Sequence, residues 1–409
     1  MKLLVVTQYF WPENFRINDL VTDLVARGHE VTVLTGKPNY PDGETFKEFL
    51  STPSNYNHYN GAKIIRVPML ARGKGSISLF LNYISYAVSA SIFGVWALRR
   101  KKLDSIFTYE PSPITVGIPA IIIRAIKKIP LVFWVLDLWP ETLEAVGAVR
   151  SKLIIKCVGL LVSFIYNRCD LILAQSKSFI PRIKEYARID SSIEYFPSWA
   201  ESVITMQDVQ PAPEVVSKTG TFKVMFAGNI GEAQDFPAIL AAADRLRNYI
   251  KIQWLIVGDG RKLDWVQEKI SQMGLDEHVL MLGRYPVERM PSFFQHADAL
   301  LVTLKDELIF SMTIPAKLQA YLAAKKPILA MLNGEGAEII QRSGAGISCA
   351  AGDDESLATA VLKLYEMDAE SREALGQNGF ELGIKEFDRF KLINQLESWL
   401  KNLTYKHTR

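Results

Sequence analysis

The chain has 409 residues, 49% of them hydrophobic and 22% charged, so it is long enough to bury more than one core. Its three cysteines are far apart in sequence, and no His or Cys pair has zinc-finger spacing, which excludes a disulfide framework and a structural metal cluster. The amino terminus lacks the pattern of a secretory signal. We therefore expect two domains of about 200 residues each in a reducing, cytoplasmic compartment.

The net charge of +3 is distributed unevenly along the chain. Residues 1–200 carry 24 Lys and Arg against 16 Asp and Glu, whereas residues 201–409 carry 23 against 28. No acid occurs between Glu48 and Asp104. The bases in that stretch are Lys63, Arg66, Arg72, Lys74, Arg99, Arg100, Lys101 and Lys102. Such a block favours phosphate or an anionic surface. Nucleic acid is not expected, because the stretch between the basic clusters is apolar and has no groove of basic and stacking residues.

Short apolar runs alternate with helical patterns in both halves, which predicts an α/β fold with two doubly wound parallel sheets. In the first half we predict strands at Lys2–Thr7, Glu30–Leu34, Ala62–Pro68, Ser105–Tyr109, Leu131–Leu136 and Leu171–Ala174. In the second half we predict them at Phe222–Phe226, Ile252–Val257, Val279–Leu282, Ala299–Leu304, Pro327–Ala330 and Gly346–Cys349. Periodicity lapses between the halves, where Gln207–Pro213 has the composition of a linker.

The predicted domains are residues 1–200, residues 201–383 and a final helical segment at 384–409 that packs back on the first domain. Within the first domain, Ser76–Leu98 is uncharged and long enough to span a bilayer. A span would place the first three strands and the next three on opposite sides of the membrane. We therefore predict a buried or interfacial helix, and we expect residues 72–102 to dock on an anionic membrane surface.

Ligands bind outside the carboxyl ends of strands in open parallel sheets, so the loops there carry the candidate site residues. The first such loop presents Glu13, Asn14 and Arg16 before a helix that starts near Ile17. Arg16 can meet a phosphate there or be an ordinary solvated arginine. A later strand end carries Asp137, Trp139 and Glu141. Asp137 can be catalytic, bind acceptor hydroxyl groups, or cap the helix that follows Pro140.

The second half offers three candidate anion-binding turns. Gly228-Asn229-Ile230-Gly231 follows one strand, and Val257-Gly258-Asp259-Gly260-Arg261 follows the next. Glycines let backbone amides approach an anion, although a plain tight turn has the same composition. The third is Thr313-Ile314-Pro315-Ala316-Lys317, where Pro315 suits the first turn of a helix. Free amides and the Lys317 charge can hold a diphosphate, unless Lys317 is a solvated lysine.

These motifs together resemble glycosyltransferase family 4, whose members are retaining enzymes of GT-B architecture. The resemblance rests on Asp137–Glu141, Gly228–Gln234, Pro315–Gln319 and Asn333–Gly336. It is strongest to the bacterial WbuB-like branch of fucosamine transferases in O-antigen and capsule assembly. It implies two Rossmann-like domains facing a cleft, with the acceptor on the first and the nucleotide sugar on the second.

The resemblance also implies roles for particular residues. Arg284 and Tyr285 flank the base, while Gly228, Gly231 and residues 313–317 meet the diphosphate. Family members commonly carry two Glu where this chain has Met312 and Ala320, and Arg and Lys where it has Asn229 and Gln234. Lys317, Arg261 or Arg16 then supplies the missing positive charge. In the family's reaction the leaving phosphate helps to take the acceptor proton, so Asp137 orients the acceptor or balances charge on the sugar.

The expected donor is a UDP-sugar, and the expected acceptor is a polyprenyl-diphosphate saccharide at the inner face of the cytoplasmic membrane. No cofactor is expected, and because no Asp-x-Asp motif occurs, no metal held by that motif is indicated. Three alternatives stay open: a nucleotide-sugar epimerase on the same fold, a catalytically silent binding protein, and an NAD-dependent dehydrogenase. The absence of a Gly-x-Gly-x-x-Gly motif disfavours the dehydrogenase.

Overall fold

The computed structural model describes the chain except residues 41–42, 74, 146–148, 150, 202–203, 205–208, 217–219 and 409. It divides into two compact units. Unit 1 comprises Met1–Pro197 together with Phe390–Arg409, and unit 2 comprises Ser198–Arg389. Each unit has its own sheet with helices on both faces, which confirms the predicted α/β, doubly wound fold class.

Unit 1 is built on an eight-stranded sheet of order β3-β4-β2-β1-β5-β6-β7-β8. Its strands are β1 (Lys2–Val6), β2 (Glu30–Thr35), β3 (His58–Tyr59), β4 (Ala62–Arg66), β5 (Ser105–Glu110), β6 (Leu131–Val135), β7 (Leu171–Ala174) and β8 (Ile193–Tyr195). All pairs are parallel except β3 with β4. The central strands are apolar on both sides, as expected for a sheet covered by helices.

The helices of unit 1 follow from the strand order. They are α1 (Arg16–Ala26), α2 (Lys47–Ser51), α3 (Ser76–Ser89), α4 (Val95–Leu98), α5 (Gly117–Lys127), α6 (Glu141–Ala145), α7 (Lys152–Tyr166) and α8 (Phe179–Tyr186). A π turn, Ala90–Gly94, joins α3 to α4. Parallel crossovers are right-handed, so the connections from β4 through β7, which all run in one direction, place α3–α4, α5, α7 and α8 on one face. Helix α1 lies on the other face.

Unit 2 repeats this plan with a six-stranded parallel sheet of order β11-β10-β9-β12-β13-β14. Its strands are β9 (Phe222–Ala227), β10 (Ile252–Val257), β11 (Val279–Gly283), β12 (Ala299–Thr303), β13 (Ile328–Met331) and β14 (Gly346–Cys349). Its helices are α9 (Phe236–Arg245), α10 (Leu263–Met273), α11 (Met290–Phe294), α12 (Leu308–Met312), α13 (Ala316–Ala323), α14 (Glu335–Ser343), α15 (Asp354–Glu366) and α16 (Ala369–Glu386). Strand order reverses between β9 and β12, which is where such sheets bind ligands.

The last helix, α17 (Arg389–Thr408), packs on unit 1. Glu397 contacts both the Arg27 guanidinium and the His29 ring, the latter at 3.1 Å. Farther along, His407 Nε2 lies 3.1 Å from Asp170 Oδ1. The segment predicted as one helix over 384–409 is in fact two, because the chain turns at Phe387 and Asp388 while the apolar spacing continues across the turn.

All twelve predicted strands are present, with ends shifted by at most two residues. The short strands β3 and β8 were not predicted, because two or three residues give no readable alternation. The predicted linker is only partly described, since residues 207–208 lie outside the described residues. Its later part is not a free linker: Ala212 is buried, and its carbonyl lies 2.8 Å from His296 Nε2.

Helix α3 belongs to the sheet-packed layer. By length and composition, Ile77–Leu98 could cross a membrane. However, β4 before it and β5 after it belong to the same sheet. The buried Tyr86 hydroxyl also donates to the Thr7 carbonyl at 2.9 Å, which fixes one side of the helix on the sheet.

Candidate functional site

In unit 1 the carboxyl end of β6 carries Asp137, which sits among side-chain donors. The Trp139 indole N–H donates to Asp137 Oδ2 at 3.1 Å, and the Thr142 and Ser112 hydroxyls bond the same carboxylate. Burial raises the Asp137 pKa to about 6. An N-cap would instead accept from amides in the first turn of α6, and no described bond to Asp137 does so. The capping role is therefore not supported.

A second carboxyl group lies beside Asp137 and was missed from sequence. Glu110 is fully buried at the end of β5, and its Oε2 accepts from the Asp137 amide at 3.4 Å. Its Oε1 has no hydrogen-bond partner among the described residues. Burial and the neighbouring Asp137 charge raise the Glu110 pKa well above its usual value. The predicted strand ends at Tyr109, one residue before Glu110, and an acid that ends a buried strand is the signal that could have identified it.

A polar cluster surrounds Asp137 at the same edge, which we call the strand-edge cluster: Tyr9, Arg72, Tyr83, Ser112 and Asp137. Arg72 hydrogen-bonds the Tyr9 hydroxyl, and its guanidinium lies over the Tyr40 ring, 5.2 Å from the centroid. Burial raises the Tyr83 pKa, while the Ser112 side chain hydrogen-bonds it. One cation, two phenols and a carboxylate can together bind the phosphate and hydroxyl groups of an acceptor. Arg72 had been predicted to face a membrane, and this placement corrects that prediction.

The first loop of unit 1 is stabilised by hydrogen bonds to a buried carboxylate. Glu13 is buried and accepts the amides of Asn39 and Tyr40 at 2.8 and 2.7 Å and that of Phe10 at 3.1 Å. Burial raises its pKa to about 7. Glu13 is therefore a loop-stabilising residue, and its prediction as an acceptor contact is wrong because backbone amides occupy the carboxylate.

The other predicted residues of unit 1 are scattered. Asn14 is exposed. Arg16 begins α1, close to the predicted start, and its amide hydrogen-bonds the Tyr109 hydroxyl. Glu141 begins α6, but its charged neighbours are Arg182 and Glu185 of α8 and Glu144 of α6. The structure thus joins Trp139 to Asp137 and does not join Glu141 to it.

In unit 2 the glycine turns after β9 and β10 pack backbone against backbone. A Cβ on Gly258, at φ +150°, would lie 1.9 Å from the Gly228 carbonyl oxygen. The Gly228 amide donates to Val257, the Ile230 amide to Asp259, and the Gly258 amide to Gly283, each at 2.8 Å. The Gly231 amide donates to Gln234 Oε1, which Asn229 Nδ2 also contacts. These amides were predicted to cradle phosphate. None of these four amides is free in the structure, because each already donates to the end of a neighbouring strand or to another loop residue.

Lys317 is the cation at this edge. It is the second residue of α13, and a Cβ on Gly228 would lie 2.4 Å from its Cε, so only glycine leaves room for it. Its Nζ lies 3.5 Å from the centroid of the Phe226 ring. That nitrogen is buried and has no hydrogen-bond partner among the described residues. Burial lowers the Lys317 pKa to about 7. The Tyr321 hydroxyl holds α13 in place by bonding both the amide and the carbonyl of Ala227.

The segment before α13 differs in detail from the prediction. Pro315 is the N-cap, one residue before the helix, and not its first residue. The Thr313 amide donates to Phe310 and is not free, because it completes the last turn of α12. Ile314 is buried. Free helix amides can therefore come only from Ala316 and Lys317 in the first turn.

The remaining predicted donor contacts lie farther out. Arg261 and Arg284 are exposed. Tyr285 packs on Phe293, with ring centroids 4.5 Å apart. Arg284 follows β11, two strands from β9, which at about 4.8 Å per strand places it roughly 10 Å along the edge from the Gly228 turn. A nucleotide lying along this edge spans such a distance.

The positions where the family usually has two acids are apolar and buried here. Met312 and Ala320 are each less than a tenth exposed. A different acid, Glu335, is buried at the first position of α14, and the preceding Gly334 contacts Ser311, which is next to Met312. Sequence analysis includes Glu335 within the Asn333–Gly336 motif but assigns it no role. No group of three or more metal-ligating side chains occurs in the described part of the chain.

Comparisons with solved structures define the fold. The chain resembles the Anabaena HepE protein in complex with UDP and glucose, with a TM-score of 0.68 at 15% identity, covering 98% of this chain and 99% of that one. It resembles the sucrose-phosphate synthase of Thermosynechococcus elongatus with a TM-score of 0.72 at 14% identity, covering 99% of each. The fold is GT-B, as predicted.

Two family models match the two units in turn. The Glycosyl transferase 4-like domain matches residues 14–199, and Glycosyl transferases group 1 matches residues 211–382. Together they cover most of the chain, which belongs to the family 4 glycosyltransferases.

Curated relatives agree with this assignment. The Probable glycosyltransferase WbjE of Pseudomonas aeruginosa is 29% identical over 263 residues, 60% of this chain and 64% of the relative. The chain therefore spans slightly less than two thirds of that relative. The Putative colanic acid biosynthesis glycosyl transferase WcaI of Escherichia coli K12 is 26% identical over 339 residues, 79% of this chain and 81% of the relative.

Proposed function

We propose that the protein transfers a sugar from a UDP-sugar onto a lipid-linked saccharide, with retention of configuration. The observation that carries the proposal is Lys317, a buried ammonium at the strand-order switch of unit 2 with no hydrogen-bond partner among the described residues. An unpaired buried cation costs free energy, and a bound diphosphate would offset that cost.

The chemistry follows from charge. When the bond from the sugar to the diphosphate breaks, negative charge grows on the phosphate oxygens. A fixed cation and the first-turn amides of α13 stabilise that charge without reorganisation. In the retaining reaction that the family resemblance implies, the departing phosphate helps to take the acceptor proton, so no separate base is required. Above its pKa of about 6, Asp137 is a carboxylate that orients the acceptor or balances positive charge on the sugar ring.

The finer specificity is also part of the proposal. An acetamido-deoxyhexose donor and a polyprenyl-diphosphate saccharide acceptor fit the WbuB-like resemblance, and the name of WcaI places that relative in colanic acid biosynthesis. We propose a role in O-antigen or capsule synthesis at the inner face of the cytoplasmic membrane. Arg72 and the Tyr9 and Tyr83 phenols of the strand-edge cluster would meet acceptor phosphate and hydroxyl groups. Transfer without metal stays a prediction.

The test combines binding with turnover. UDP binding is measured by calorimetry, and transfer is measured with a panel of radiolabelled UDP-sugars and a membrane extract in the presence of EDTA. We expect UDP to bind, and label to enter the lipid fraction from one donor. Binding without transfer from any donor would favour the silent binding protein, to which the apolar Met312 and Ala320 point. Release of an epimerised nucleotide sugar would favour the epimerase.

A further inference from the structure

Three neighbouring helices of unit 1 share an unusual composition. Helices α3–α4, α5 and α7 lie on the same face of the sheet, and α5 contacts the other two. None of the three carries a single Asp or Glu. The other long helices of unit 1 do, with Asp19 in α1, Glu185 in α8 and Glu397 in α17. The acid-free composition is therefore confined to one side of the unit.

The outward surface of these helices is apolar, and we call it the three-helix face. More than half of the large apolar side chains exposed in the described part of the chain belong to it, with exposures from 45% to 78%. They are Ile77, Phe80, Leu81, Val88, Ile92, Phe93 and Trp96 on α3–α4, Ile126 on α5, and Leu153, Ile154, Leu160 and Phe164 on α7. Isolated exposed apolar residues are ordinary, but this many on three adjacent helices of one face mark an interaction surface.

Basic residues border the face at the helix ends. Arg99, Arg100, Lys102, Lys128 and Arg168 are exposed just beyond the carboxyl ends of α4, α5 and α7, and Lys152 and Lys156 are exposed near the start of α7. Because each helix runs antiparallel to the strands, these carboxyl ends lie at one edge of the face. The basic residues along that edge are Arg99, Arg100, Lys102, Lys128 and Arg168. Of the basic residues first assigned to docking, Lys101 does not belong here, because its Nζ donates to Thr32 Oγ1 at 2.8 Å.

We infer that the three-helix face binds the surface of an anionic phospholipid bilayer, with α7 entering the interface as well as α3–α4. This inference extends the membrane association in the proposed function from one helix to a surface. It rests on the proposed function, because transfer to a lipid-linked acceptor is the reason for the protein to bind a membrane. A helix of 22 residues, such as Ile77–Leu98, is about 33 Å long, so the face is broad enough for the unit to lie flat. Apolar side chains would enter the acyl boundary while the basic border meets lipid phosphates.

Charge distinguishes a bilayer from a second copy of the chain. A twofold dimer through this face would bring the same basic borders together without an acid on these helices to pair with them. An anionic membrane complements both the apolar side chains of the three-helix face and its basic border. Two cation–π pairs at the border, Arg99 over Trp96 at 4.0 Å and Arg168 over Phe164 at 3.6 Å, join a base to an interfacial aromatic ring.

The first experiment is flotation with vesicles of phosphatidylcholine alone or with one third phosphatidylglycerol. We expect wild type to float with the anionic vesicles, and Leu153→Glu/Leu160→Glu to bind at least about tenfold more weakly. Lys152→Glu/Lys156→Glu should lose at least about tenfold at low salt and less at high salt. The matched control is Ile250→Glu, which changes an equally exposed apolar side chain in unit 2 and should float like wild type.

The second experiment uses the exposed Cys157, which lies on α7 between the two leucines. Burial raises the pKa of both other cysteines, Cys169 and Cys349, so a thiol-reactive fluorophore labels Cys157 selectively at neutral pH. Insertion predicts a blue shift of the fluorophore on adding anionic vesicles. An unshifted probe, or α7 variants that float like wild type, would overturn the inference.

The remaining controls separate the possible failures. Thermal melting of each variant tests whether it folds, and UDP calorimetry tests whether unit 2 still binds nucleotide. A lost membrane interaction is then not confused with a failed nucleotide site. Sedimentation without vesicles tests whether the chain instead forms a dimer through the three-helix face. A wild-type dimer that Leu153→Glu/Leu160→Glu dissociates would overturn the bilayer in favour of a protein interface.

Discussion

Replacing Lys317 with methionine should stabilise the protein and weaken UDP binding at the same time. Methionine keeps the unbranched side chain over Phe226 and beside Gly228 but removes the buried charge. The unfolded chain keeps the lysine proton up to pH 10.5, whereas the folded chain keeps it only up to about pH 7. Between these values the unfolded state binds more protons, so wild-type stability falls as pH falls from 10.5 to 7.

The size of the effect follows from that interval. Each pH unit corresponds to about 1.4 kcal/mol, so the upper limit at pH 7 is about 4 kcal/mol, and structural relaxation reduces it to on the order of 2. For a domain of this size, the melting temperature of the Lys317→Met variant should then be about 4–8 °C higher than that of wild type. The difference between the variant and wild type in free energy of unfolding should reach its full value below pH 7 and vanish near pH 10.5. Urea titrations at pH 6, 8 and 10 measure this difference.

The same substitution should lower UDP affinity at least about tenfold, because a cation near a diphosphate at an effective dielectric of about 20 contributes a few kcal/mol. A bound anion also favours protonated Lys317, so wild-type UDP binding should take up protons above pH 7, visible by calorimetry in buffers of different ionisation enthalpy. Lys269→Met, at a partly exposed site on α10, should change neither quantity. A variant that loses stability and keeps its UDP affinity would refute the reasoning.

Three further substitutions test other parts of the molecule. Asp137→Asn should cut turnover at least about a hundredfold with little effect on UDP affinity, and wild-type activity should fall as pH drops through about 6, where the carboxylate is lost; kcat and calorimetry against pH check both. Glu110→Gln should match wild-type stability near pH 4 and exceed it at pH 8, because the raised Glu110 pKa means that wild type loses stability as pH rises above about 4.5; equal urea midpoints at pH 8 would contradict a neutral Glu110. Gly258→Ala should cost on the order of 2–4 kcal/mol in denaturant titrations, whereas Gly274→Ala, at φ +66° with open space around it, should cost about 1, and equal costs would remove the backbone clash as the cause.

The amino-acid sequence by itself determined the fold class. Strands buried on both faces are continuous apolar runs, and the helices between them have their own period, so local pattern alone gave all twelve long strands. Position at a strand end also identified Asp137, and a proline at a predicted helix start identified the 313–317 segment. These properties are local, because each depends on neighbours within a few residues.

Only the tertiary structure decided which of those groups are available for chemistry. The amides of Gly228 and Gly258 donate to the last residues of the neighbouring strands β10 and β11, because segments far apart in sequence meet at the sheet edge. Glu110 acquires its raised pKa from burial and from Asp137, which follows it by 27 residues and lies just beyond the end of the neighbouring strand β6. The three-helix face depends on strand order, because right-handed crossovers place α3–α4, α5 and α7 side by side. Hydrogen-bond occupancy, burial and adjacency depend on long-range contacts, which a local sequence pattern does not encode.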